Sequence, residues 1–157
     1  MIEIITGDLL DATEKYICHQ TNCLSTGQAA GIARAIFDRF PYADCYTNPQ
    51  EKRIPGTIDI RGDGSDNRYI VNMNGQVYPG GSGYGIDGKE TRAEYFWQAL
   101  HILADIPNLE SVAFPFRIGC AIAGGDWQHY FSMIELFAKE IKETQNAKTT
   151  IYKLSER

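Results

Sequence analysis

Three side chains stand where strand residues give way to small ones, and each could take part in chemistry. His19 opens "HQTNCLSTGQAAGIA", residues 19–33, and Asn22 follows within it. Asp126 ends the run of small residues in "RIGCAIAGGDW", residues 117–127. A histidine exchanges a proton near neutral pH, a carboxylate can act as base or orient water, and an amide can fix a hydroxyl. The small residues imply a second kind of chemistry. A turn built from Gly and Ala leaves backbone amides uncovered, and a helix starting there puts its positive end behind them, which favours phosphate. Neither stretch is a standard phosphate loop: no Gly-Lys-Ser/Thr is present, and Gly27 and Gly31 lack the GxGxxG framing. The same residues have plainer uses. Small residues let a helix pack on a sheet, and an Asp before the apolar helix that Trp127 starts is an N-cap. His101, inside a helical pattern, and His129, on the solvent side of another, read as packing and surface residues.

Alternating strands and helices must position these groups. "IEII" at 2–5 and "YICHQ" at 16–20 read as strands. "AGIARAIFDRFP" places Ile32, Ala33, Ile36, Phe37 and Phe40 at helical spacing, and Pro41 stops it. "GTIDIRG" and "RYIVNM", separated by the turn-forming "GDGSDN", read as a hairpin. The glycine-rich stretch 74–90 is a long loop, of a kind usually functional or mobile. "TRAEYFWQALHILADI" is a helix with Tyr95, Phe96, Ala99, Ile102 and Leu103 on its inner face. "SVAFPF" is a strand, and "DWQHYFSMIELFAKEIKE" a helix turning Trp127, Tyr130, Phe131, Ile134, Phe137, Ala138 and Ile141 inward. "TTIYKL" is the last strand. This order predicts a layered α/β fold with a mixed sheet, in one domain spanning residues 1–157. Ligands in such folds sit beyond the carboxyl ends of the strands. There "TGDLL" at 6–10 would join the other two junctions around one cleft.

Charge and composition narrow the partners. A length of 157 residues suits one well-cored domain, and 43% hydrophobic with 22% charged residues is ordinary for a globular protein. A net charge of -5 and a pI near 5.2 argue against affinity for a nucleic acid backbone. They leave room for a small anion held by backbone dipoles. "MIEIITGDLL" does not read as a signal peptide, and no stretch reads as a membrane span, so the expected compartment is the cytoplasm. Cys18, Cys23, Cys45 and Cys120 form no CxxC pair and read as reduced thiols. The Cys18, His19, Cys23 spacing is unlike that of a zinc site, so neither metal nor cofactor is expected. A monomer is expected.

In this order "GDLL", "HQTNC", "GIARAIFDRFP", "VNMNGQ" and "IGCAIAGGDW" resemble the macrodomain family, whose members bind ADP-ribose. Within it they are most similar to the yeast-type ADP-ribose-1''-phosphate phosphatases. The resemblance runs from Glu3 to Leu154. It implies a three-layer α/β/α fold with a central mixed β-sheet and one ADP-ribose cleft. It also implies that Asp8, Leu9 and Leu10 meet the adenine and that Leu154 lines the same pocket. Asn22 matches the position contacting the distal ribose. Gly31 and Ile32 belong to a first phosphate loop, and Arg117, Ile118, Gly119, Cys120, Ala121, Ile122, Ala123 and Gly124 form a second. The implied partners are ADP-ribose, ADP-ribose 1''-phosphate or an ADP-ribosylated protein.

The resemblance is imperfect at two glycines. Ala29 and Ala121 stand where the family usually has Gly, and a methyl at a positive φ would cost roughly 1 kcal/mol. The activity implied is hydrolysis of ADP-ribose 1''-phosphate, with His19 as general acid, Asp126 as base and Asn22 beside them. The alternatives are a non-catalytic ADP-ribose reader and a mono-ADP-ribosyl hydrolase. A related glycohydrolase branch uses a lysine and an aspartate, but the aspartate slot is Ala123 here, and Lys89 reads as a solvated loop lysine.

Overall fold

The computed structural model describes residues 1–155. Six short apolar runs become the strands β1 (Ile2–Thr6), β2 (Tyr16–Asn22), β3 (Ile58–Arg61), β4 (Tyr69–Gln76), β5 (Ser111–Pro115) and β6 (Lys148–Lys153). They form one sheet in the order β1-β6-β5-β2-β4-β3, parallel throughout except that β3 runs antiparallel to β4. Between the strands lie the helices α1 (Gly31–Arg39), α2 (Lys89–Ala104) and α3 (Trp127–Gln145).

Strand side chains alternate between the two faces of the sheet, so each face collects its own core. Ile17, Ile70 and Ala113 pack with Ala33, Ile36 and Phe37 of α1. Tyr16, Cys18, Val71, Val112 and Phe114 pack with α2 and α3 on the other side. The result is a three-layer α/β/α fold around a mixed sheet. No described helix is long and apolar enough to cross a membrane.

The helical faces follow the sequence pattern with instructive shifts. In α3, Tyr130, Ile134, Phe137, Ala138 and Ile141 are buried as their spacing predicts, while Trp127 and Phe131 pack at the edge of the core. In α2, Phe96, Ala99 and Leu103 are buried but Ile102 is exposed and Tyr95 half-buried. The inner face is instead completed by Arg92, Ala93 and Leu100. Ile32, expected inside, is exposed at the start of α1.

One local feature of the sheet decides where a ligand can enter. β2 and β5 pair only at Tyr16↔Val112 and Ile17↔Ala113 and then part. β5 stays with β6 to Pro115↔Tyr152, and β2 stays with β4 to Asn22↔Gln76. A slit therefore opens between the carboxyl ends of β2 and β5, near the middle of the sheet.

Candidate binding site

A cleft of about 640 Å³ lies over this slit, within the usual range for small-molecule sites. Its floor crosses the ends of five strands. Gly7, Asp8 and Leu9 after β1 and Tyr152, Lys153, Leu154 and Ser155 around the end of β6 form one end. Residues 115–123 and 28–33 line the middle, and Gln20, Asn22, Tyr46, Gln76, Pro79 and Gly80 form the other end.

Two turns face each other across the middle, and both leave amides without acceptors among the described residues. Ala30 occupies the N-cap position of α1 and makes no side-chain cap. Among the described residues the amides of Gly31, Ile32 and Ala33 have no acceptor, which a Ser or Asp at the cap would help to supply. Opposite, residues 117–125 turn with left-handed backbones at Arg117 (φ 62°), Gly119 (φ 73°) and Gly124 (φ 81°). The amides of Cys120, Gly124 and Gly125 bond within the segment, and that of Ile118 donates to the Pro115 carbonyl just before it. Those of Gly119, Ala121, Ile122 and Ala123 have no acceptor among the described residues. Ile122 reaches across, its Cδ1 3.6 Å from where a Gly31 side chain would begin. The Arg117 guanidinium folds onto its own turn and donates to the Cys120 carbonyl at 3.2 Å.

The small residues serve packing as well as access. A methyl on Gly125 would sit 2.6 Å from the Gly119 carbonyl oxygen, and one on Gly119 would sit 2.5 Å from Tyr130 Cε2. Gly124 lies just outside the cleft lining, with only Ser82 Oγ near its open side, at 3.9 Å. Ala29 and Ala121 have no positive φ, so these two replacements for glycine carry no such strain.

The residues expected to do chemistry divide between the cleft and the core. Asn22 is in the cleft lining, but its atoms are engaged in shaping the turn. Its Oδ1 accepts from the Leu24 and Ser25 amides, and its Nδ2 donates to Ser25 Oγ and Tyr46 Oη. Asp8 caps the short turn Leu9–Asp11 through Oδ1 and the Leu10 amide at 2.9 Å, while its Oδ2 has no partner among the described residues. Leu10 itself packs on the α1-side core rather than lining the cleft.

His19 corrects the expected general acid. It is fully buried on the α1 face, edge-on to Phe37, and does not line the cleft. Its Nε2 donates to Asn72 Oδ1 at 2.5 Å, and burial pushes its pKa down to about 4. Cys18 projects to the opposite face, so the two cannot share a metal. No group of three or more His, Cys, Asp or Glu among the described residues could hold one.

Asp126 corrects the expected base. It is exposed, lies outside the cleft lining, and caps α3 by accepting from the Gln128 amide at 3.2 Å. Asp126→Ala is expected to lose about 1 kcal/mol of stability, Asp126→Asn much less, and neither to change ligand affinity. Thermal melts and a binding titration of both variants check this, and an affinity loss in Asp126→Asn would return the residue to the site. Lys89 is exposed at the start of α2, also outside the cleft lining.

Other groups at the site carried no obvious sequence signal. Gln20 Nε2 donates to Gln76 Oε1 at 2.7 Å, making an amide pair at the end of the cleft. Gln76 Nε2 in turn donates to the Tyr78 and Gly80 carbonyls. Arg53 lies over the Tyr46 ring and donates to the Ser25 and Cys45 carbonyls, bracing the turn after β2. The pairing of β2 with β4 brings Gln20 and Gln76 together, and that register is not written in either segment alone.

No protein-family model and no curated protein matches this chain, whereas solved structures do. A protein of unknown function from Bacteroides thetaiotaomicron is 24% identical over 98% of both chains, with a TM-score of 0.74. The macrodomain of Mycobacterium tuberculosis DarG is 20% identical over 99% of both chains, with a TM-score of 0.70. The Oceanobacillus iheyensis macrodomain, in a mutant form with ADPR, is 17% identical with a TM-score of 0.71, over 99% of this chain and 86% of that one. At these identities the likeness is one of architecture: the chain has the macrodomain fold.

Proposed function

We propose that the cleft captures ADP-ribose or a close derivative, with the diphosphate between the two turns. The observation that carries this reading is the pair of turns whose amides lack acceptors among the described residues, facing each other across the slit. Anions are favoured by such amides and by the start of α1 behind them. The adenosine then lies toward Asp8, Leu9 and Leu154, and the distal ribose toward Asn22 and the Gln20–Gln76 pair. The macrodomain fold supports the same ligand, since one structure of that fold holds ADPR.

The chemistry of the lining favours capture over turnover. Its titratable side chains among the described residues are Asp8, Tyr46, Arg117, Cys120, Tyr152 and Lys153. Asp8, Tyr152 and Lys153 stand at the adenosine end. Burial pushes the Tyr46 hydroxyl and the Cys120 thiol each up to about 12, and the Arg117 guanidinium is a donor only. The distal end therefore offers no group that exchanges a proton near neutral pH. The phosphatase reading loses His19 and Asp126, and the lysine–aspartate reading has Ala123 in the aspartate slot and a Lys89 outside the cleft lining.

Calorimetry with ADP-ribose tests the reading. One ligand per chain is expected, and ligand at 100 times its dissociation constant should add about 2.7 kcal/mol of stability. Absence of binding at millimolar ligand would remove the proposal. Incubation with ADP-ribose 1''-phosphate should release no phosphate over many turnovers, and sustained release would restore the phosphatase. Binding of an ADP-ribosylated protein more tightly than of free ADP-ribose would place the ligand on a macromolecule.

A further inference from the structure

Near the cleft, every donor of the Arg92 side chain is engaged, and none of the binding roles above involves it. It is 2% exposed on the inner face of α2. A guanidinium has five N–H donors, and here all are used. Nε donates to Asp87 Oδ1 at 3.0 Å, and Nη2 donates to Asp87 Oδ2 at 2.6 Å and to the Tyr78 carbonyl at 3.1 Å. Nη1 donates to the Gly80 carbonyl at 2.8 Å and to the Ala123 carbonyl at 3.2 Å. Asp87 is gripped from its other side by the Val77 and Tyr78 amides, at 2.7 and 3.1 Å.

These bonds join two loops rather than two core elements. Tyr78 and Gly80 belong to the glycine-rich loop after β4, and Ala123 to the turn after β5. Gly80 and Ala123 both line the cleft. Packing does little to hold the loop, because side chains placed on Gly80, Gly83 or Gly85 would meet nothing within 4 Å. The Tyr78 and Gly80 carbonyls are shared with Gln76, which pairs with Gln20 at the distal end.

We propose that Arg92 is a positioning residue that locks the glycine-rich loop to the second phosphate turn. It thereby sets how firmly the diphosphate and distal sugar are held, while leaving the adenosine end alone. The consequence for affinity rests on the ADP-ribose reading above. Lysine cannot substitute, since its ammonium has three donors around one point and no planar fork. The adenosine end, beyond β1 and β6, lies across the sheet from the end of β4 that Arg92 serves.

The test compares ADP-ribose with AMP, which fills the adenosine end but carries no distal sugar. Arg92→Lys should weaken ADP-ribose at least thirtyfold while AMP changes less than threefold. Asp87→Asn should shift the same ratio in the same direction by less. Equal losses for the two ligands, or unchanged ADP-ribose affinity in a folded variant, would overturn the proposal. Hydrogen exchange on the unaltered protein judges the lock without any variant. The Arg92 guanidinium N–H protons, which bond the Gly80 and Ala123 carbonyls, should exchange slowly, and rapid exchange there would overturn it even if both variants failed to fold. Failure of the unaltered protein to bind ADP-ribose would overturn the consequence for affinity, and the exchange result would still decide whether the lock exists.

Discussion

Gly119→Ala is expected to cost about 3 kcal/mol, a fall in Tm of roughly 6–12 °C for a chain of this size. Two effects add. The backbone at Gly119 has φ 73°, where an L residue is strained by about 1 kcal/mol. The new methyl would also sit 2.5 Å from Tyr130 Cε2 and 2.9 Å from Gln20 Oε1. Tyr130 cannot retreat, being 1% exposed with its ring 4.8 Å from that of Phe96, and overpacking of this kind costs about 1–3 kcal/mol. Gly124→Ala is the control. Its φ of 81° is equally left-handed, but the nearest atom to its methyl is Ser82 Oγ at 3.9 Å. It should lose only the backbone term, about 1 kcal/mol. Chemical denaturation of both variants gives the comparison, and equal losses would show that the crowding against Tyr130 is not real.

Acid should expose the cost of burying His19. The folded imidazole has its pKa pushed down to about 4 by burial, against an ordinary 6.5. Between those values the unfolded chain binds the proton and the folded chain does not, so stability rises with pH across that window. The contribution is complete above about pH 6.5, falls by about 1.4 kcal/mol per pH unit below it, and is exhausted near pH 4. Protonation would place a charge in the core with Nδ1 unpartnered, while Nε2 is already bonded to Asn72. Asn72 cannot turn freely, because its Nδ2 donates to the Ala43 carbonyl. Relative to the parent, His19→Gln should remove about 3 kcal/mol of the loss between pH 7 and pH 4. Unfolding in urea at several pH values measures it. His101 and His129 are exposed and common to both proteins, so they cancel. Parallel curves for parent and variant would mean that the ring is solvated.

The elements were legible because their signals are local. The three amphipathic patterns and six apolar runs needed only periodicity, and Asp126 before Trp127 needed only the preference of helix starts for a capping oxygen. The two small-residue turns were likewise visible as composition, and the structure brings them to one cleft. What failed was the assignment of faces. β2 is buried almost throughout, so no polar alternation distinguished the side of His19 from the side of Gln20. The roles given to His19 and Asp126 followed chain proximity to the small-residue turns, whereas a side chain's direction decides what it meets. Arg92 was invisible for a different reason. A charged residue on a helix reads as solvent-facing, and three of its bonds end on main-chain carbonyls, which have no signature in the sequence.

The early parting of β2 from β5 also bears on what holds the domain together. Past Ile17 and Ala113 the sheet is two panels, β1-β6-β5 and β2-β4-β3, with an unlaced seam between their upper halves. Cohesion there falls to the outer layers. Val112 and Phe114 of one panel and Cys18, Val71 and Met73 of the other are embedded in the same apolar cluster with α2 and α3. On the opposite side, α1 spans Ile17, Ile70 and Ala113. The protein is in this sense a laminate whose middle ply is cut and whose skins carry the tension. An ADP-ribose lying in the cut as proposed above would touch both turns and add a rivet across the seam, so that filling the cleft and strengthening the sheet would be one event.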